Sequence, residues 1–237
     1  MQYTDNRVHR RTLLLAAVAS LLAGCSTTPP QAVAVAMPVD EEQPAATSTI
    51  YAAMPEEQFP IPAVDLKQVS PRFRRQIVDY PTDEKVGTLI VDTPNKFLYH
   101  VLPGSKAMRY GIGVGRDGFS WSGRATVAYK RAWPKWTPPD EMVARDPRLQ
   151  PVSKENGGMP PGLRNPLGAR ALYIHQGGKD TLYRLHGTPE AFSIGKAVSS
   201  GCIRLLNQDI IDLYNTVRDG SAIVVLPDPS MREQSGA

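Results

Sequence analysis

Two short strings carry the residue types that nucleophilic attack on a carbonyl requires: His186-Gly187-Thr188-Pro189-Glu190 and Ser199-Ser200-Gly201-Cys202-Ile203-Arg204. A thiol becomes a useful nucleophile when a base takes its proton, and imidazole is the usual base. Cys202 and His186 supply that pair. Gly201 lets a substrate carbonyl approach the backbone closely, and the amides of Gly201 and Cys202 are placed to face an oxyanion. Taken singly, each has a blander explanation: Cys202 as a buried structural cysteine, His186 as a satisfied core histidine.

The cysteine count bears on that choice. The 237 residues include two cysteines, Cys25 and Cys202. Arg7, Arg10 and Arg11 form a basic start, and Leu13 to Leu22 is an apolar run too short to stay in a membrane as a span, so residues 1–24 have the makeup of an export signal. The run ends in Leu22-Ala23-Gly24-Cys25-Ser26, which resembles the lipobox of bacterial lipoproteins, where the cysteine sulfur takes lipid after cleavage. A secretory peptide cut elsewhere, with Cys25 incidental, is the alternative. Arg10-Arg11 leaves both the general and the twin-arginine export routes open. An exported chain with two cysteines suggests a disulfide, but lipid on Cys25 rules that bridge out and leaves Cys202 as a thiol. The expectation is an envelope or periplasmic protein held to a membrane through lipid on Cys25.

Charge excludes one class of partner. The chain has 27 basic and 23 acidic residues. Without the leader's three arginines and Asp5, the balance is 24 to 22, too even for a nucleic-acid-binding face. Residues 25–63, rich in Pro, Ala, Thr, Gln and Glu, resemble a flexible tether that cannot bury enough apolar surface to offset its ordering entropy. Residues 64–85 form a partly ordered lead-in, with Ser70-Pro71 as the start of a short helix bearing Phe73 and Ile77. Residues 228–237 form a tail.

The elements that must position the pair are mostly strands. Thr88–Asp92 and Lys96–Val101 flank a Thr93-Pro94-Asn95 turn, with further strands at Arg109–Val114 and Ala125–Lys130. Leu172–His175 and Thr181–His186 flank Gly177-Gly178 as a hairpin, which puts His186 at a strand end. A helix follows Cys202, capped by Asn207 and carrying Ile210, Ile211, Leu213, Tyr214 and Val217 at helical spacing. Ala222–Leu226 form a last strand. Residues 86–227 therefore make one mostly β domain with a few short helices. A Pro/Gly-rich insertion between Trp133 and Pro166, long for a compact domain, has a short helix from Thr137-Pro138 to Arg145 and two packing tryptophans.

Two other motifs carry less. Gly111-Ile112-Gly113-Val114-Gly115 lacks the helix start that a phosphate cradle needs, and reads as strand and turn glycines. His100, His175, His186 and Cys202 show no paired short spacing for zinc, so neither a metal nor a cofactor is expected. His175 lines the site only if its hairpin pairs symmetrically.

The His-Gly-Thr string followed by Ser-x-Gly-Cys-Ile-Arg, with Gly168-Ala169-Arg170-Ala171-Leu172-Tyr173-Ile174 and Ser193-Ile194-Gly195, resembles the signature of the L,D-transpeptidases, the YkuD-domain family, over about 86–227. The resemblance implies a β-sandwich or barrel-type catalytic domain acting on peptidoglycan stem peptides. Cys202 would form a thioester with the stem, expelling a terminal D-alanine, and carbapenems would acylate the same thiol. His186 would be base and then acid, oriented by the Gly187 carbonyl, with Gly201 and Cys202 as oxyanion donors. Ser199, Ser200, Arg204, Tyr173 and His175 would line the substrate. Many relatives have histidine where this chain has Ser200, which leaves the proton work to His186. The acceptor would be a second stem's amine, an envelope protein's lysine, or water, the last giving a carboxypeptidase. A non-catalytic wall-binding lipoprotein is the rival from another class.

Overall fold

The computed structural model describes residues 49–115, 122–199 and 202–227. The leader, Cys25, Ser200, Gly201 and the tail from 228 lie outside them. Eleven strands are described: β1 (Gln76–Asp79), β2 (Leu89–Asp92), β3 (Phe97–Leu102), β4 (Lys106–Gly111), β5 (Val114–Gly115), β6 (Gly123–Ala132), β7 (Arg170–Gln176), β8 (Lys179–Thr188), β9 (Ala197–Ser199), β10 (Ile203–Leu206) and β11 (Ala222–Val225). Two α-helices of six residues or more accompany them, α1 (Asp140–Arg145) and α2 (Asn207–Thr216). Nine strands form one mixed sheet in the order β1-β4-β3-β2-β11-β6-β7-β8-β10, and β5 pairs with β9. Most neighbours are antiparallel; β2/β11 and β8/β10 are parallel.

Alternation along each strand sorts the faces. Leu172 and Ile174 of β7, Leu185 of β8, and Ile203 and Leu205 of β10 point into one core with Leu89, Val91 and Leu98. Ile210 and Leu213 of α2 close it. Each such side chain contributes about 1.5–3 kcal/mol by leaving water. Lys130 caps the C-terminal end of α2, donating to the Tyr214 carbonyl at 2.6 Å and to the Val217 carbonyl.

The edge strand β10 also reaches the chain that follows β4. Beyond β4, Gly113 exchanges two backbone hydrogen bonds of 2.9 Å with Arg204 of the edge strand β10. A Cβ on Gly113 would stand 2.7 Å from the Ser193 carbonyl oxygen, so the seam closes only with glycine there. This mostly β, barrel-like sheet has the class expected from the sequence.

Several local expectations need correction. Ser70-Pro71 opens only a three-residue 3-10 turn, Pro71–Phe73, and Ile77 is an exposed residue of β1. Asn207 is the first residue of α2 rather than its cap, and α1 starts at Asp140 rather than Thr137. Part of the expected tether is packed on the domain. Tyr51 and Ile61 are buried, and Ile61 joins Trp133, Ala169 and Ile211 in a second apolar cluster. Glu57 accepts from Trp133 Nε1 at 2.9 Å and is paired twice with Arg170, at 3.0 and 2.6 Å. These partners outweigh burial and hold the Glu57 carboxyl below its ordinary range.

Candidate active site

Register builds the site. Parallel pairing sets Ile203 beside Leu185 and Arg204 beside His186. Antiparallel pairing of β7 sets Ala171 beside His186 and Tyr173 beside Arg184, and β6 sets Arg131 beside Ala171 and Tyr129 beside Tyr173. Leu172, Leu185 and Ile203 fill the core, so their neighbours in sequence share the opposite face. That face carries two rows running across four strands. One row is Arg131, Ala171, His186, Arg204. The other is Tyr129, Tyr173, Arg184 and, one step before Ile203, Cys202.

His186 is buried and held. Its Nδ1 donates to the Gly187 carbonyl at 2.7 Å. Burial lowers the imidazole pKa from the ordinary 6.5 to about 4, against the carbonyls of Gly187 and Pro166, which both favour a charged ring. The ring is therefore neutral near pH 7. Burial also pushes the Cys202 thiol up from its ordinary 9.0, against a backbone hydrogen bond at Arg184 and the charges of Arg184 and Arg204. The strand β10 separates Cys202 from the start of α2 at Asn207, so no helix N-terminus lowers the thiol.

The surroundings fix these two groups. Asn207 turns its amide oxygen back to accept from the Ala169 N–H at 3.0 Å, and a Cβ on Gly187 would overlap that oxygen. The buried Asn165 donates to the Pro134 and Pro160 carbonyls at 3.0 Å and accepts from the Leu167 N–H at 2.9 Å. This clasp closes the base of the 133–166 insertion next to Pro166. The sequence marks Asn207 only as a helix cap, and the residues around Asn165 carry no local signal for this clasp.

The remaining expected residues divide. Arg204 pairs with Glu190 at 2.6 Å, which occupies its guanidinium within the protein. Tyr173 is on the site face, stacked on Tyr129 at 4.3 Å. His175 does not meet His186: next to the hairpin turn it pairs with Asp180, edge-on to Tyr129, and Ala171 is the residue opposite His186. His100 lies on β3, several strands away. Ser199 ends β9, and Ser200 and Gly201 fall outside the described residues. The Gly111–Gly115 run is the end of β4, the seam and β5; a Cβ on Gly111 would stand 2.6 Å from Phe73 Cβ, so these glycines serve close packing.

A family profile for the L,D-transpeptidase catalytic domain (YkuD) matches residues 87–225. The chain is 35% identical over 145 residues to a probable L,D-transpeptidase of Escherichia coli (strain K12), YcfS, covering 60% of this chain and 44% of that protein. It thus spans less than half the length of the curated relatives it first matches. Among solved structures, a probable carnitine operon oxidoreductase from Brucella melitensis is 44% identical, covering 68% of this chain and 99% of that one, with a TM-score of 0.47. An L,D-transpeptidase from Mycobacterium smegmatis is 20% identical, covering 59% of this chain and 58% of that one, with a TM-score of 0.41.

Proposed function

The chain belongs to the L,D-transpeptidase (YkuD) catalytic-domain family, and from that premise we propose that it transfers acyl groups on peptidoglycan stem peptides through a thioester on Cys202. What supports this reading is the pairing of β10, which directly follows Cys202, with β8, which carries His186, with the ring tied to the Gly187 carbonyl.

Cys202 Sγ attacks the carbonyl of the stem's third residue as its proton passes to His186 Nε2, the nitrogen not engaged by Gly187. The carbonyls of Gly187 and Pro166 then stabilise the imidazolium, in the place a carboxylate takes in other triads. The amides of Gly201 and Cys202 hold the oxyanion, an effect of about 3–4 kcal/mol per donor in comparable acyl transfers. On collapse the C–N bond to the terminal D-alanine breaks, and His186 returns its proton to the leaving amine. The thioester then passes to an amine, joining a second stem in a 3–3 cross-link or attaching an envelope protein.

Mass spectrometry of purified protein with tetrapeptide-bearing muropeptides tests this. The expected result is a thioester adduct on Cys202, release of D-alanine and a joined product, all lost in Cys202→Ala. Replacing His186 with Ala slows the reaction by about 10²–10⁴-fold. Release of D-alanine with no joined product would make the enzyme a carboxypeptidase; no release with binding retained would make it a wall-binding protein. The Leu-Ala-Gly-Cys string supports lipid anchoring at the envelope. A Cys25→Ser variant that still partitions into membranes would overturn the anchor.

A further inference from the structure

The row that ends at Cys202 begins with two aromatic rings and a guanidinium that the acyl-transfer chemistry does not use. Tyr129 and Tyr173 stack at 4.3 Å with planes 17° apart. Arg131 lies over the Tyr129 ring at 5.1 Å, and Arg184 over Tyr173 at 4.4 Å. Two stacked rings, each with a guanidinium against it, thus lie across β6, β7 and β8.

The three guanidiniums on this face differ in what they can still bind. Arg184 is paired with Asp180 through both nitrogens at 2.7 Å, and Arg204 with Glu190 at 2.6 Å. Arg131 is exposed and has no carboxylate partner among the described residues. It is the guanidinium on this face left to receive an anion. Ala171, between Arg131 and His186 in the register, adds only a methyl group and leaves the surface low there.

Scale decides what could lie on it. From β6 to β10 is three strand spacings, roughly 14 Å at about 4.8 Å each. Extended peptide covers that in about four residues at ~3.3 Å per residue, and the reach of the arginine shortens the need further. Stacked rings offer flat apolar contact with little conformational entropy to lose, and a guanidinium fork fits a carboxylate bidentately.

We infer that Tyr129, Tyr173 and Arg131 form a substrate track that seats a carboxylate-bearing peptide against the sheet, with Arg131 reading an acidic group a few residue lengths from the carbonyl attacked by Cys202. This rests on the transpeptidase reading for the identity of the peptide, though not for the site itself. Arg131 is thus a specificity residue, remote from the reacting atoms.

The test uses a tetrapeptide stem with its carboxylates intact and the same peptide with all but the C-terminal carboxylate amidated. Affinities are measured by calorimetry on the full chain carrying Cys202→Ala, so turnover does not interfere. The intact peptide should bind about tenfold or more tighter than the amidated one, and Arg131→Gln should abolish that difference by weakening only the intact peptide. Arg131→Lys should restore part of it, since charge returns without the fork. Equal loss on both peptides, or no loss on either, would overturn the track. If the expected pattern appears while enzyme with Cys202 in place releases no D-alanine, the transpeptidase reading falls and the track stands.

Discussion

At the residue scale, the site rests uncharged, and that sets its pH dependence. A histidine whose folded pKa is about 4 stays a competent base well below the pH at which an ordinary imidazole is protonated. The acid limb of kcat/KM, which reports the free enzyme's base, should therefore fall near pH 4; a limb near 6.5 would contradict the burial of His186. Alkylation of Cys202 by iodoacetamide should rise only on the alkaline side of the ordinary thiol value of 9.0, because burial disfavours the thiolate. Stability follows the same proton. Between about pH 6.5 and 4 the unfolded chain protonates a histidine that the folded chain keeps neutral, so His186 weakens the fold as pH drops through that window. Asp209 has the opposite sign. Burial raises its pKa from 3.8 to about 7, against Arg75, so its stabilising contribution is lost as pH rises across that range. Chemical denaturation of Asp209→Asn as a function of pH should separate the two.

At the element scale, the Asn207 amide ties α2 to the lead into β7 and abuts Gly187 of β8. Asn207 satisfies the Ala169 N–H and fills the space beside Gly187. Asn207→Ala leaves that buried donor unpaired, at about 1–3 kcal/mol. Gly187→Ala collides with the same oxygen and displaces the carbonyl that holds His186, so it should lower kcat more than it raises KM. In the Asn207→Ala background the Gly187→Ala step should cost less than in wild type, as expected for groups in contact, which urea denaturation of the four variants would measure. Strands with clear alternation, such as Leu172–His175 and Thr181–His186, were legible in the sequence. β10 was not: Ile203-Arg204-Leu205-Leu206 is too short for its pattern to be told from the lead of the helix that follows. The packing that turns Asn207 inward depends on neighbours distant in sequence and leaves no local signal.

At the scale of the whole molecule, the segment before residue 64 belongs to the domain in part. It carries Tyr51, whose hydroxyl bonds Asp209, and Ile61, which covers Ile211 and Trp133. It also carries Glu57, the carboxylate paired with the nearly buried Arg170. A chain starting at residue 64 should melt about 5–15 °C below one starting at residue 49, from a loss of several kcal/mol. Equal melting temperatures would show that this packing contributes little. Low-complexity composition concealed the segment because three or four anchoring side chains suffice to hold it.

The seam between Gly113 and Arg204 has a consequence for when the enzyme becomes active. It joins the end of the first group of strands to the strand that directly follows the nucleophile, across most of the domain's length. Closing so long a loop is entropically expensive and comes late in assembly. A chain still emerging from synthesis has Cys202 without the strand pairing between β10 and β8 beside it. The reactive centre is thus assembled by completion of the fold, and a partly made copy has no means of attacking what it passes.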